Sequence, residues 1–133
     1  MVEVEVFGAE LAEDAPPLAE VRRLCLLAAA SRGVVDGHLA IAFVDSERIA
    51  RLNSEHRGKP TPTDVLSFPV DGVEPVADSG PRELGDVVIC PELTVDLRET
   101  IVHGVLHLVG MDHETDKGEM LALQDELLAR EIG

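Results

Sequence analysis

The chain has 133 residues, of which 26 are acidic and 11 are basic, giving a formal net charge of -15. This length predicts one domain over residues 1–133 that can bury a core without disulfide bonds. The negative charge argues against a general affinity for nucleic acid.

Cysteine usage and hydropathy predict the compartment. Cys25 and Cys90 each lie in an apolar run, which is typical of reduced, buried thiols in a cytoplasmic protein. No apolar run approaches the roughly 20 residues that cross a bilayer, and no charged and apolar leader opens the chain. We therefore expect neither secretion nor membrane insertion, and no membrane partner.

The first two elements are predicted to be a strand and a helix. Residues 1–7 alternate valine with glutamate, which indicates a strand near the edge of a sheet with one face in water. Asp14 is a plausible N-cap for a helix that begins at Pro16 and Pro17 and ends near Gly33. The apolar positions of this helix follow a three-and-four spacing, so one face should pack on the sheet.

A central strand and a short basic helix follow. Residues 38–44 carry apolar side chains at both odd and even positions, as expected of a strand that is covered on both faces. Asp45 should cap a helix that ends near Glu55. This helix and the loop after it contain four of the 11 basic residues of the chain, which we call the basic patch: Arg48, Arg51, Arg57 and Lys59. The patch could hold a phosphate backbone, or it could simply be a solvated helix face.

The middle of the chain predicts two further strands. Residues 57–63 are rich in glycine and proline and should form a turn. A strand follows at residues 64–70, where Pro69 indicates a sheet edge or the end of the strand. Residues 71–83 form the longest predicted loop, and residues 84–90 form the next strand.

A helix over residues 94–109 carries the most informative motif of the chain. His103 and His107 are four apart, so one face of the helix presents both imidazoles to a single metal ion. Gly110 is suited to end the helix in a left-handed turn that returns His113 toward the other two histidines. Three neutral nitrogen ligands with a fourth position open to water would be a catalytic zinc arrangement. A last helix is predicted over residues 116–131.

The predicted helix with His103 and His107 also allows functions other than catalysis by a bound metal ion. One histidine on an apolar helix is more often a core residue than a ligand, but three at this spacing favour a metal site. The spacing is that of metzincin peptidases, except that Gly104 stands where those enzymes have their glutamate base. A metallopeptidase is therefore disfavoured. A non-catalytic module, in which zinc stabilises the fold and Cys90 or an acid completes the ligands, is the other alternative.

Four segments are informative when they are taken together, and the longest is Pro-Thr-Asp-Val-Leu-Ser-Phe-Pro at residues 62–69. The others are Asn53-x3-Arg57-x-Lys59, Leu-Gly-Asp-Val-Val-Ile at residues 84–89, and the histidine motif. Over roughly residues 45–114 these segments resemble the YbeY family of bacterial single-strand-specific metallo-endoribonucleases, which act in ribosome maturation.

The resemblance implies both a fold and an activity. The fold would be α/β (α+β), a small mixed four-stranded sheet with helices packed around it and a zincin-like metal-site helix. His103, His107 and His113 would bind one Zn2+ ion, and Arg57 would be essential for catalysis. The implied partners are single-stranded RNA, chiefly 16S rRNA during 3′-end maturation, and the ribosome or its small subunit during quality control.

Other polar residues are candidates for supporting roles. Asp112, beside His113, could orient a metal ligand or cap the turn, and Lys59 could contact a phosphate. Asp64 and Asp86 are candidates to support the site, although a structural role is the commoner one for each. No residue decides whether water or the 2′-hydroxyl of RNA is the nucleophile.

Two features depart from the family pattern. His56 stands where the family usually has an aromatic residue before the arginine, so a stacking contact could be altered. Only residues 90–102 separate the preceding strand from His103, whereas relatives usually have a longer connection that carries an extra helix. That helix should be missing or merged with the metal-site helix, which would change one wall of the cleft.

Overall fold

A mixed four-stranded sheet organises the fold, as predicted. The computed structural model describes residues 2–13, 15–59, 61–70, 82–112 and 116–132. The strands follow the spatial order β1-β2-β4-β3, with β1, β2 and β4 parallel and β3 antiparallel to β4. The predicted edge position of the first strand and the central position of the second are therefore confirmed. The strands are β1 (Val2–Phe7), β2 (Gly37–Phe43), β3 (Val65–Pro69) and β4 (Glu83–Ile89).

Four α-helices and two short 3-10 turns complete the described part of the chain. The predicted loop at residues 71–83 lies almost wholly outside that part, and Glu83 already belongs to β4. None of the described helices is long and apolar enough to cross a membrane. The helices are α1 (Leu18–Ala30), α2 (Ser46–Arg57), α3 (Leu97–Leu108) and α4 (Glu119–Ile132), and the 3-10 turns are Ala9–Leu11 and Pro91–Leu93.

Three helices begin later than the sequence predicted: α1, the metal-site helix α3, and α4, which begins at Glu119 rather than at position 116. The first two delays have a local cause. α1 begins at Leu18 with Pro17 as its N-cap in an extended conformation. Pro16 precedes a proline, which disfavours a helical backbone, and Asp14 lies outside the described residues. The metal-site helix begins at Leu97 rather than near position 94, because the Asp96 side chain accepts hydrogen bonds from the backbone N–H groups that follow it.

Helices cover both faces of the sheet. On one face, side chains of α1, α3 and α4 form the main core with inward-facing residues such as Val87 and Ile89 of β4. On the other face, Ile49 of α2 packs against a smaller cluster that includes Leu66 and Val88. Neighbouring residues of β4 serve opposite faces because successive strand side chains alternate. The resulting layers place α2 and α3 on opposite sides of β3 and β4.

The short connection at residues 90–102 contains no α-helix before α3. It forms the 3-10 turn Pro91–Leu93, after which Asp96 caps α3. Thr94 closes this turn, because its Oγ1 donates a hydrogen bond to the Cys90 carbonyl at 2.7 Å. Of the two possibilities left by the sequence, the extra helix is therefore missing and is replaced by a single turn.

Candidate active site

A cleft of about 520 Å³ opens beside β3, which is an edge strand of the sheet. Its walls are the C-terminal end of α2, β3 with the residues before it, α3, and the turn that follows α3. The basic end of one helix therefore faces the histidine helix across a strand. The cleft brings together five of the predicted site residues: Arg57, Asp64, His103, His107 and Asp112.

The two histidines of α3 fit a shared metal ion. From position 100 to position 109 every residue of the helix and its cap is buried except His103 and His107, which are partly exposed and line the cleft. Their ring centroids are 4.8 Å apart and the rings are inclined at 74°. Because zinc binds imidazole nitrogens at about 2.0–2.1 Å, two rings at this separation can share one ion.

The turn after α3 has the geometry expected to return the chain toward the cleft. Gly110 adopts a positive φ of 97°, as predicted for the residue that ends this helix. The Gly110 N–H donates to the His107 carbonyl at 3.1 Å, and the Met111 N–H donates to the Leu106 carbonyl at 3.0 Å. This pair of bonds is a Schellman motif, which favours glycine because it requires a left-handed backbone.

The predicted third metal ligand is outside the structural description. His113 lies in the undescribed stretch 113–115. Within the described ranges, no group of three or more histidine, cysteine, aspartate or glutamate side chains is arranged to hold a metal ion. The pair on α3 therefore accounts for the described part of the predicted site, and the contribution of His113 stays a prediction.

A residue on α4 that was not predicted contacts His103, the first histidine of the pair. Gln124 is only 3% exposed, and its side-chain oxygen accepts a hydrogen bond from His103 Nδ1 at 2.9 Å. The sequence offered one signal, because Gln124 interrupts the apolar face that Met120 and Leu127 define on this helix. A polar residue on such a face needs a partner, but the pattern does not say which one.

Gly104 allows α3 to approach the sheet closely. A Cβ atom at this position would lie 2.4 Å from Cγ1 of Val87, so no larger residue fits without a shift of helix or strand. Ser67 of β3 also contacts this part of α3, because its Oγ donates a hydrogen bond to the Gly104 carbonyl at 3.0 Å. The position that is a glutamate in metzincins therefore faces the sheet and not the cleft, which argues against the peptidase alternative.

Arg57 reaches the cleft because α2 ends there. Asp45 caps the beginning of this helix, as predicted, and Gly58 ends it with a φ of 70°. The side chain of Arg57 is exposed and lines the cleft. The buried Asn53 steadies the following loop, because its Nδ2 donates to the Thr61 carbonyl at 2.9 Å. The helix end and the loop that leads to β3 are thus held together beside the cleft.

His56 retains a ring contact at the position where an aromatic residue was expected. Its imidazole centroid lies 4.6 Å from that of Phe68, with the planes inclined at 57°. His56 is exposed and lines the cleft, whereas Phe68 packs against the small apolar cluster under α2. The phenyl ring therefore supports the imidazole from the core side.

The remaining candidates divide between the cleft and other surfaces. Asp112 lies at the cleft, and its carbonyl accepts a hydrogen bond from the Asp116 N–H at 3.1 Å, as expected of a turn residue. Asp64 also lies at the cleft and accepts a hydrogen bond from the Thr63 hydroxyl at 3.3 Å. Lys59 and Asp86 are exposed but do not line the cleft.

The basic patch is wholly exposed, but its members differ in their surroundings. Arg51 is 3.5 Å from Glu47 in an ion pair on the surface of α2. Of the four residues, only Arg57 lines the cleft. Arg51 is consequently a natural control for the removal of a positive charge from the same helix.

Similarity to solved structures concerns the fold. The chain is similar to TM1509 from Thermotoga maritima, known from a solution structure, with a TM-score of 0.58 and 23% sequence identity. The similarity covers 96% of this chain and 88% of the other. It supports the α/β arrangement of a mixed sheet with helices on both faces.

Sequence comparisons give the family. The family model described as endoribonuclease YbeY matches residues 18–131. A Nocardioides protein named endoribonuclease YbeY is 42% identical, over 90% of this chain and 93% of the relative. A relative of the same name from Bacillus licheniformis is 39% identical, over 85% of this chain and 84% of the relative. Another from Acinetobacter baylyi is 44% identical, over 71% of this chain and 70% of the relative. The chain therefore belongs to the endoribonuclease YbeY family.

Proposed function

We propose that the protein is a metal-dependent endoribonuclease that cleaves single-stranded RNA in the cleft beside β3. The observation that carries this proposal is that Arg57 from α2 and the pair His103 and His107 from α3 open on the same cleft. The names of the relatives support a hydrolase that acts on RNA phosphodiester bonds. The geometry supports the specific roles given below.

His103 and His107 would hold one Zn2+ ion together with His113. Their partial exposure at the cleft and the 4.8 Å separation of their rings fit this role. When bound there, zinc supplies an electrophile for a phosphodiester group and a means of acidifying water. We assign the ligands to this chain's three histidines because imidazole is a common zinc ligand and leaves a position for substrate.

Arg57 would bind the phosphate that is cleaved. Its guanidinium is always charged, and its planar arrangement of N–H donors matches two phosphate oxygens at once. Charge develops on those oxygens as the bond breaks, so a fixed cation lowers the barrier to cleavage more than it strengthens substrate binding. The removal of this side chain should therefore reduce turnover and leave metal content unchanged.

The preference for single strands would come from His56. Its ring is exposed at the cleft and supported by Phe68, so it offers a surface on which an unpaired base can stack. Bases in an RNA duplex are already stacked and paired, and their faces cannot reach such a ring. This contact would let the cleft select unpaired segments without reading a sequence.

The biological setting is also part of the proposal. We place the protein in 16S rRNA 3′-end maturation and ribosome quality control, with the ribosome or its small subunit as partner. The chain would act in the cytoplasm as one domain over residues 1–133. Cys25 and Cys90 are free and buried, which is compatible with a reducing compartment.

The test is cleavage of a single-stranded fragment from the 3′ end of 16S rRNA by the zinc-loaded protein, with the same sequence as a duplex for comparison. We expect wild type to cut the single strand, His107→Ala to lose metal and activity, and Arg57→Ala to keep metal and lose activity. Arg51→Ala removes a charge from the same helix and should behave as wild type.

Other outcomes of this experiment would support the alternatives. A wild-type protein that binds one zinc and cuts neither substrate would favour the non-catalytic module, in which zinc stabilises the fold. Equal cleavage by wild type, His107→Ala and Arg57→Ala would show that the activity comes from a contaminant. Hydrolysis of casein by wild type would favour the peptidase alternative.

A further inference from the structure

Gln124 is a buried amide in an otherwise apolar part of α4. It is 3% exposed, and the residues one turn before and after it, Met120 and Leu127, are 0% and 1% exposed. Burial of an amide without hydrogen bonds is unfavourable, so a polar residue here needs a compensating contact. The contact that the structure provides is the 2.9 Å hydrogen bond to Nδ1 of His103.

This hydrogen bond determines which nitrogen of His103 can face a metal ion. An amide oxygen can only accept, so Nδ1 of His103 must carry the proton. In a neutral imidazole protonated on Nδ1, the lone pair that can bind a metal ion lies on the other nitrogen, Nε2. His103 lines the cleft, so Nε2 is the nitrogen through which this ring would bind a metal ion there.

A chain of hydrogen bonds fixes the position of Gln124 relative to the cleft. The Asp112 carbonyl at the cleft accepts from the Asp116 N–H at 3.1 Å. The Asp116 carboxylate in turn accepts from the backbone N–H of Gly118 at 2.8 Å and of Met120 at 2.9 Å. Gln124 follows Met120 by one helical turn, so the start of α4 is fixed to the turn after α3.

We propose that Gln124 is a positioning residue for the metal site, whose amide oxygen holds His103 in the tautomer and orientation that leave Nε2 available to the metal ion. The proposal rests on the metal site of the proposed function. It adds a residue on a different helix that touches neither the metal nor the substrate. Partners of this kind raise metal affinity because the ligand need not be reoriented when the metal binds.

Zinc affinity tests this role directly, measured on the full chain by competition with a chelator. Gln124→Met keeps the length of the side chain and removes the acceptor, and we expect the zinc Kd to rise about 10–100-fold. Gln124→Glu keeps an acceptor and should restore affinity to near the wild-type Kd. Met120→Leu changes a buried apolar residue one turn away on α4 and should leave the Kd unchanged.

The stability of the metal-free protein separates positioning from packing. Methionine keeps the volume of the side chain but leaves the His103 Nδ1–H without its acceptor, so we expect Gln124→Met to keep the native fold and to unfold at a somewhat lower denaturant concentration than wild type. A wild-type zinc Kd in Gln124→Met would overturn the proposal. A Gln124→Glu variant that binds zinc as weakly as Gln124→Met would also overturn it.

The tautomer of His103 gives a second test that needs no variant at position 124. Nitrogen NMR of the metal-free wild type, at a pH where the imidazole is neutral, should show His103 protonated on Nδ1, with the signal assigned by its loss in His103→Asn. Protonation on Nε2 would overturn the proposal. Failure of wild type to bind zinc would instead contradict the proposed metal site and the role of Gln124 with it, while a wild type that binds zinc with His103 protonated on Nε2 would contradict the role of Gln124 alone.

Discussion

Gly104→Ala sets helix propensity against the packing of α3 on the sheet. In an exposed helix, alanine is about 1 kcal/mol more favourable than glycine. At this position the added Cβ would lie 2.4 Å from Cγ1 and 3.2 Å from Cγ2 of Val87. Overpacking of a core costs about 1–3 kcal/mol and occasionally more, and Val87 is β-branched on an inner strand, which leaves it little room to move. We therefore take the upper end of this range, about 3 kcal/mol, which leaves a net loss of about 2 kcal/mol in the free energy of unfolding after the gain in helix propensity.

A double-mutant cycle isolates this contact. Val87→Ala alone should cost about 2 kcal/mol, because it removes two buried methyl groups and leaves a small cavity. In the double variant the new Cβ at position 104 occupies the space that Val87 has vacated. We therefore expect the double variant to be more stable than the sum of the single changes by about 1–3 kcal/mol. Denaturant unfolding of the four metal-free proteins measures this coupling energy.

Two results would refute this reasoning. A Gly104→Ala variant at least as stable as wild type would mean that helix propensity prevails and that α3 does not approach β4 as closely as described. Additive effects of Gly104→Ala and Val87→Ala would mean that the two positions are not in contact. In either case the argument that position 104 has no room for a glutamate would fail.

Three further predictions concern charge, base stacking and phosphate binding. Burial lowers the pKa of His38, but hydrogen bonds from its ring to Glu5 and Glu83 raise it by more, so the folded pKa is raised above 6.5. The stabilisation from charged His38 is present in full below the unfolded pKa and is lost as pH rises through the folded pKa, so wild type should lose stability relative to His38→Gln as pH increases. His56→Ala should weaken binding of single-stranded RNA by about 1–3 kcal/mol, measured by fluorescence anisotropy, because a stacked base loses its platform. Arg57→Lys should lower kcat about 100-fold or more with unchanged zinc content, because an ammonium group cannot bind two phosphate oxygens in the same plane.

Each of these predictions has a control and a contradicting result. For His38, stability curves of wild type and His38→Gln that run parallel across pH would contradict the charge linkage. For His56, the His56→Phe variant should retain binding, and equal RNA affinity of wild type and His56→Ala would rule out stacking. For Arg57, the control is Arg51→Lys, and a matching loss of kcat there would show a general charge effect and not a role for the cleft arginine.

The main elements could be predicted because their signals are local. The valine and glutamate alternation of residues 2–6 sets one face of β1 against water, and this strand is at the edge of the sheet. Asp45 could be recognised as a cap because its side chain bonds to a backbone N–H only three residues away. The pairing of His103 and His107 follows from the period of the helix alone.

Other features depend on contacts between distant segments, which periodicity does not encode. The hydrogen bond between His103 and Gln124 joins residues 21 apart on separate helices and depends on how α4 packs on α3. The approach of Arg57 to the histidines depends on the position of α2 relative to β3, and the sequence suggested it only through the resemblance to a family. Asp86 was a candidate because it lies in a matching segment, but alternation along β4 turns it to the face opposite Val87.

We propose that one metal ion at the histidine pair makes the cleft a ribonuclease. The most direct test is a titration of zinc into metal-free protein while cleavage of the single-stranded 16S rRNA fragment is followed. We expect activity to be absent without metal, to rise with added zinc and to stop rising at one ion per chain. Metal-free protein that cleaves the RNA as fast as the zinc-loaded protein would contradict this proposal.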